Sequence, residues 1–312
     1  MTTVTAPPAS GRIRRMLEMI RFSHTIFALP FAALAVLLAL RLPLGDGQPA
    51  RVTGWQLLGL LLCMVFARST AMAFNRLVDQ KFDAANPRTA GRHLPAGLLS
   101  RAEVLVFTGV CAVGFVAACA LFLPNWLPLA AAVPVLAFVC GYSLAKRFTS
   151  AAHLWLGIAL SLAPVCVWVA VRGVSVLANP LDLLPAVVLA AAVATWVTGF
   201  DIIYACQDEA FDRAAGLRSI PVRWGTAGAL RLAAGCHLAM LVALVLLPLT
   251  AIGLGLGGVY YASLALIAGL LVVEHRLVRP DDLQRVNAAF FNVNAIISIV
   301  LLCAAGIDSW IL

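Results

Sequence analysis

Leu183-Leu-Pro-Ala-Val-Val-Leu-Ala-Ala-Ala-Val-Ala-Thr-Trp-Val-Thr-Gly-Phe-Asp-Ile-Ile-Tyr204 is a run of 22 residues with one charge, Asp201, close to its end. As a helix, rising about 1.5 Å per residue, it is about 33 Å long, enough to cross a hydrocarbon core of about 30 Å. The apolar residues are continuous rather than alternating, which excludes a barrel strand. Such a run can satisfy its backbone inside lipid only as a helix.

Working outward, eight more segments of the same kind appear, at 24–40, 54–75, 103–122, 126–142, 153–171, 229–249, 255–273 and 287–307. The expected fold is therefore all-α: a polytopic membrane protein with nine transmembrane helices around a central cavity. Composition agrees. Hydrophobic residues are 62% of the chain, charged residues 12%, and the mean hydropathy is +0.98. A soluble protein carries roughly 25% charged residues, because its surface must be solvated. Residues 1–11, rich in Thr, Pro and Ala, read as a disordered tail, and 12–312 as a single domain. A cleaved signal peptide is not expected, since the first apolar segment lacks a small-residue cleavage site.

The few charges are informative by position. With the N-terminus in the cytoplasm, 18 of the 22 Lys and Arg fall on the cytoplasmic side, three outside (Arg41, Arg51, Arg172) and one, Arg68, within the second span. That bias sets the orientation N-in and C-out. The net charge of +8 fits a cytoplasmic face meeting anionic lipid and an anionic substrate, with no nucleic acid implied. The eight cysteines are scattered singly without a Cys-x-x-Cys and read as small packing residues, and the five histidines show no ligand spacing.

Six of the 14 acids, by contrast, cluster in two stretches at cytoplasmic ends of spans. On a helix at 100° per residue, Arg68, Asn75, Asp79 and Asp83 fall within about 80° of arc, and so do Asp201, Tyr204, Asp208 and Asp212. Each stretch thus presents one polar stripe rising out of the membrane. Taken singly, Asp79, Asp83 and Asp212 read equally well as loop carboxylates paired with nearby arginines, and Arg68 as a snorkelling or structurally paired base. The repeated spacing and the depth of Asp201 and Arg68 favour function, because ionisable groups inside a span are costly. Facing carboxylates need a cation between them, and all-oxygen ligands suit Mg²⁺. Arg88, Arg92, Lys146, Arg147, Arg213 and Arg218 crowd the same side. Carboxylates, Mg²⁺ and bases together equip a site for a diphosphate. At the mouth of an apolar cavity, that points to a lipid diphosphate with its tail in the bilayer.

These residues resemble the UbiA superfamily of intramembrane aromatic prenyltransferases over roughly 20–305. Asn75-Arg-x-x-Asp79-x-x-x-Asp83 is similar to its first aspartate-rich motif, followed by Asn86-Pro87-Arg88-Thr89-x-x-Arg92-x-Leu94-Pro95-x-Gly97. Asp201-x-x-Tyr204-x-x-x-Asp208-x-x-x-Asp212-x-x-x-Gly216-x-x-Ser219 is similar to the second. Gly141-Tyr142-Ser143-x-x-Lys146-Arg147 resembles the segment between them, and Arg21-Phe-Ser-His-Thr the start of span 1. The resemblance implies that Asn75, Asp79 and Asp83 hold one Mg²⁺, and Asp201, Asp208 and Asp212 another. It implies that Lys146 grips the diphosphate with Arg88, Arg92 or Arg147, that Tyr142 and Tyr204 line the reacting centre, and that Arg68 orients the aromatic acceptor. The loops at 76–102 and 205–228 would form a cytoplasmic cap.

The implied reaction is ionisation of a polyprenyl diphosphate and attack by a hydroxy-aromatic acid, in quinone biosynthesis at the cell's inner membrane. The first motif looks closest to the 4-hydroxybenzoate branch. The Gln207-Asp208-Glu209 and Ser219-Ile220-Pro221 details look more like relatives that prenylate a dihydroxynaphthoate in the futalosine route to menaquinone. A membrane transporter is the alternative of a different class, since intramembrane acids and an offset repeat are common there.

Overall fold

The structure is a computed structural model and describes residues 11–20, 29–173, 175–280, 282–283, 286 and 292–311. The tail at 1–10, the Arg21 to Thr25 segment and the start of the ninth apolar run lie outside them. Among the described residues its regular elements are all helices, with two isolated β-bridges and no strand. A short helix α1 (Arg12–Met19) precedes α2 (Leu29–Arg41), α3 (Gly54–Ala85), α4 (Arg101–Cys119), α5 (Leu127–Ala145) and α6 (Ala152–Arg172). Then follow α7 (Ser175–Ala178), α8 (Leu184–Ala205), α9 (Glu209–Ala214), α10 (Ile220–Leu246), α11 (Gly258–Leu277) and α12 (Asn294–Trp310).

Each of the nine apolar runs contains or overlaps one helix. Seven helical segments are long and apolar enough to cross a membrane. The helices of the first and last runs, α2 and α12, are shorter as described, at 13 and 17 residues. The sequence placed the end of the second span at 75 and a loop beyond it. Instead α3 continues unbroken to Ala85, so the whole first stripe rides on one 32-residue helix. Thr53 starts it with a capping box to Gln56, and Ser100 does the same for α4 through Glu103. The second stripe is not one helix. A 3-10 turn at Cys206–Asp208 separates α8 from α9, so the 100° register does not carry through to Asp212. The supposed 205–228 loop is mostly helical, with α10 beginning at Ile220 and bending at Gly225, where φ is +69°.

α8 is the most buried span and lies between α6 and α10. Small residues allow this. A Cβ on Gly157 of α6 would come 2.3 Å from the Ala194 carbonyl oxygen of α8, and one on Gly199 of α8 would come 2.4 Å from the His237 ring of α10. Lipid offers no hydrophobic drive between helices, so such close backbone approach is what holds them. The largest core cluster gathers Phe31, Trp168, Trp196, Met240, Tyr260 and Ile297 around this helix.

Several buried polar groups away from the cavity pair with one another, while His237 Nε2 and Glu274 Oε2 have no hydrogen-bond partner among the described residues. Arg172 donates to both oxygens of Asp182 at 2.6 Å and to the carbonyls of Ala39, Leu42 and Pro43 at 2.7–2.8 Å, which ties the end of α2 to the end of α6. Asp308 accepts from the backbone N–H groups of Gly257 and Tyr260 at the start of α11, where the helix dipole favours an anion. Asn294 bridges the Trp196 indole and Glu274.

Candidate active site

A cavity of about 690 Å³ opens among α3, α4, α5, α6 and α8. Every site residue anticipated from sequence borders it: Arg68, Asn75, Asp79, Asp83, Arg88, Arg92, Tyr142, Lys146, Arg147, Asp201, Tyr204, Asp208 and Asp212. They collect at one end. The rest of the wall is apolar, from Leu60 and Met64 to Phe115, Phe122, Pro128 and Ala170. α3 runs from Leu60 to Asp79 along this wall, which at about 1.5 Å per residue makes it close to 28 Å long.

The polar end is a set of acid–base pairs drawn from separate elements. Arg88 makes a bidentate contact with Asp208, with its Nε at 2.9 Å, and donates to the Tyr204 hydroxyl at 2.9 Å. Burial opposes the Arg88 charge, but Asp208 and Tyr204 outweigh it and hold the guanidinium above its ordinary range. Lys146 Nζ lies 2.9 Å from Asp212. Arg92 lies 2.6 Å from Asp83, with Arg76 at 3.6 Å from the other oxygen. Arg147 reaches Asp79 at 3.3 Å, and Asn75 donates to Asp79 at 2.8 Å. Asn86 Nδ2 donates to Asp208 at 3.2 Å, so the turn after α3 is fastened to the second motif. The Arg218 N–H donates to the Lys146 carbonyl and its guanidinium to that of Phe148, which fastens the other side of the cap.

Arg68 differs. Its Nε is buried without a hydrogen-bond partner, and it forms no ion pair among the described residues. The alternative in which an aspartate of the stripe neutralises it is therefore not what the structure contains. It lies two turns along α3 from Asn75, facing the cavity.

Two features escaped the sequence. His153, at the start of α6, is buried and lies 2.7 Å from Asp201 through Nδ1, with no partner on Nε2. Its only signal was position, seven residues after Lys146. Cys63 and Cys119, read as unrelated, have sulfurs 3.7 Å apart at the apolar end. Fifty-six residues separate them, and only the packing of α3 on α4 joins them.

Among the described residues no three His, Cys, Asp or Glu side chains converge as a ready metal nest; each acid is engaged by a base. The donor set itself suits a hard cation: carboxylates from two elements, an amide oxygen at Asn75, and a buried Asp83 Oδ2 that accepts no hydrogen bond.

A model of the UbiA prenyltransferase family matches residues 28–296. The 4-hydroxybenzoate octaprenyltransferase of Chromohalobacter salexigens is 30% identical over 268 residues, 85% of this chain and 83% of its own. That of Aeromonas hydrophila is 32% identical over 254 residues, 80% and 81% of the two chains. Among solved structures, a UbiA homolog from Aeropyrum pernix superposes with a TM-score of 0.78 at 31% identity, over 92% of this chain and 98% of that one. A homolog from Archaeoglobus fulgidus bound to DMAPP and Mg²⁺ shares the fold with a TM-score of 0.68 at 16% identity, over 96% and 100%.

Proposed function

This chain belongs to the UbiA prenyltransferase family, and from that membership we propose that it transfers a polyprenyl group from its diphosphate to the ring of 4-hydroxybenzoate or a close hydroxy-aromatic acid, in quinone biosynthesis. The family assignment removes the transporter alternative. One observation carries the proposal: a cavity with acids and bases at one end and apolar walls beyond, bordered by Arg68, which forms no ion pair among the described residues.

The residues divide the work. Asn75, Asp79 and Asp83 on α3 and Asp208 and Asp212 beyond α8 would hold Mg²⁺. When bound, the metal supplies a counter-charge for the departing diphosphate. Arg88, Arg92, Lys146 and Arg147 now neutralise those acids, and they are the groups that take diphosphate oxygens when the acids turn elsewhere. Tyr204, held by Arg88, and Tyr142 present ring faces that stabilise an allylic cation. The apolar walls seat the prenyl tail and exclude the water that would quench that cation. Arg68 pairs the acceptor carboxylate as a planar fork, and the ring then attacks ortho to its hydroxyl and loses a proton.

The positive-inside bias supports an inner-membrane protein with its N-terminus and polar cavity end in the cytoplasm. The Gln207-Asp208-Glu209 detail keeps dihydroxynaphthoate as a second acceptor to be tested beside the first. The test is reconstituted protein with a polyprenyl diphosphate, Mg²⁺ and each acceptor in parallel. Prenylated hydroxybenzoate is expected. Product with naphthoate alone would move the acceptor assignment, and no product across chain lengths and both acids would sink the reading.

A further inference from the structure

The acids of the two stripes have unequal partners. Asp79, Asp83, Asp208 and Asp212 are each paired with Arg or Lys. Asp201 is held by His153 instead. A diphosphate is gripped by fixed cations, so the four base-paired acids belong to its end of the cavity. Asp201 lies on α8 itself, before the 3-10 turn that carries Asp208. It, Arg68 and Tyr142 all border the same cavity.

The fold forces this pairing. The tight approach of Gly157 to Ala194 and Thr198 locks α6 against α8 one turn past His153. The imidazole is thereby sealed in the wall, with the His153 side chain 2% exposed against 23% for Asp201. Facing a carboxylate, Nδ1 carries the proton and donates it to Oδ2. A ring N–H is a directional donor, so it fixes the carboxylate plane. Asp201 makes no other hydrogen bond among the described residues, which leaves Oδ1 to the cavity it borders.

We propose that His153 is a positioning residue for prenyl transfer, holding Asp201 by Oδ2 so that Oδ1 accepts a hydrogen bond from the hydroxyl of the aromatic acceptor. Together with Arg68 at the acceptor carboxylate, this gives the ring two anchors and aims its ortho carbon. Asp201, which the motif pattern groups with the metal ligands, then serves the acceptor. The inference rests on the proposed hydroxy-aromatic acceptor.

The test uses the full chain in lipid nanodiscs as wild type, His153→Leu, His153→Asn, His153→Gln, Asp201→Asn and the His153→Leu/Asp201→Asn double variant. Turnover, KM for each substrate and equilibrium binding of 4-hydroxybenzoate without Mg²⁺ or prenyl diphosphate are measured. His153→Leu should lower kcat by about ten- to a hundredfold, in the range of a lost orienting partner. It should also weaken hydroxybenzoate binding and leave the KM of the prenyl diphosphate and the Mg²⁺ requirement unchanged. Asparagine places an amide N–H near the Nδ1 position and should restore most activity, whereas glutamine, reaching further, should not. The double variant should be no worse than Asp201→Asn, since both remove one interaction.

Wild-type kinetics in His153→Leu, additive losses, or a defect confined to the prenyl diphosphate would overturn the inference. If His153→Leu does not fold, the Asn and Gln variants decide it, and equal impairment in both overturns it. A wild type inactive with every acceptor would remove the proposed function and this inference together, a result distinct from an active wild type with indifferent variants.

Discussion

Arg172 and Arg68 both lie in helices of membrane-crossing length, and the fold treats them in opposite ways. Arg172, its side chain 1% exposed, exhausts its donors on Asp182 and three carbonyls. Arg68 borders the cavity with its Nε unsatisfied. A cation in a low-dielectric interior needs a partner. Where the chain supplies every partner, the arginine is a fastening. Where the chain withholds them beside a cavity, a ligand has to complete the set.

The contrast predicts which substitutions harm catalysis and which harm the fold. The largest effect is expected at the mouth of the cavity: Asp208→Asn and Asp79→Asn should each cost about a thousandfold or more in turnover. The variants should remain monodisperse by size exclusion, and retained activity in either would remove that acid from the site. Next comes Arg172→Leu, which strands Asp182 and should destabilise by about 3–5 kcal/mol, read as a lower Tm with unchanged kcat/KM in the molecules that stay folded. Arg68→Leu should do the reverse, losing about 1.5–3 kcal/mol of acceptor binding at unchanged Tm. A melted Arg68→Leu protein would break the comparison.

A subtler consequence follows from the paired acids and bases. Mg²⁺ and inorganic diphosphate should each free the groups the other needs. Calorimetry should therefore find each binding more tightly in the presence of the other, by about 1–3 kcal/mol, and independent binding would show that the pairs do not exchange. The smallest effect belongs to Glu18 on α1, whose exposed carboxyl is held below its ordinary range by Arg14. A depressed carboxyl stabilises above its unfolded pKa and loses that contribution as pH falls. Solvent screens the pair, so Glu18→Gln should be indistinguishable from wild type in Tm at neutral pH.

Most of the architecture was legible because lipid leaves so few options. A continuous apolar run in lipid must be a helix, and of the nine runs visible in outline seven correspond to described helices long and apolar enough to cross a membrane. Their ends were not: the stripe spacing that marked Asp79 and Asp83 also meant that α3 continued past the apolar residues, since charged residues extend a helix into water as readily as they begin a loop. The acids were legible because they are rare. Their partners were not, because Arg88 and Asp208 are 120 residues apart and meet only when the cap folds. His153 was unreadable for the same reason, as α6 packing on α8 creates its contact. A lone Arg172 and a lone Arg68 look alike in a sequence, and the Asp182 carboxylate with the carbonyls of Ala39, Leu42 and Pro43 tells them apart.

The bases at the cavity mouth grip what the proposed reaction discards. Once diphosphate departs into water, the prenylated acid offers Arg88, Arg92, Lys146 and Arg147 nothing to hold, and they close again on Asp208, Asp83, Asp212 and Asp79. The product of the proposed reaction still carries the carboxylate and hydroxyl of the acceptor, so it stays held at Arg68 and Asp201 as well as by the apolar wall. Diphosphate and the prenylated acid are thus released in separate steps of the proposed cycle, and the re-formed ion pairs return the site to the state that the next diphosphate meets.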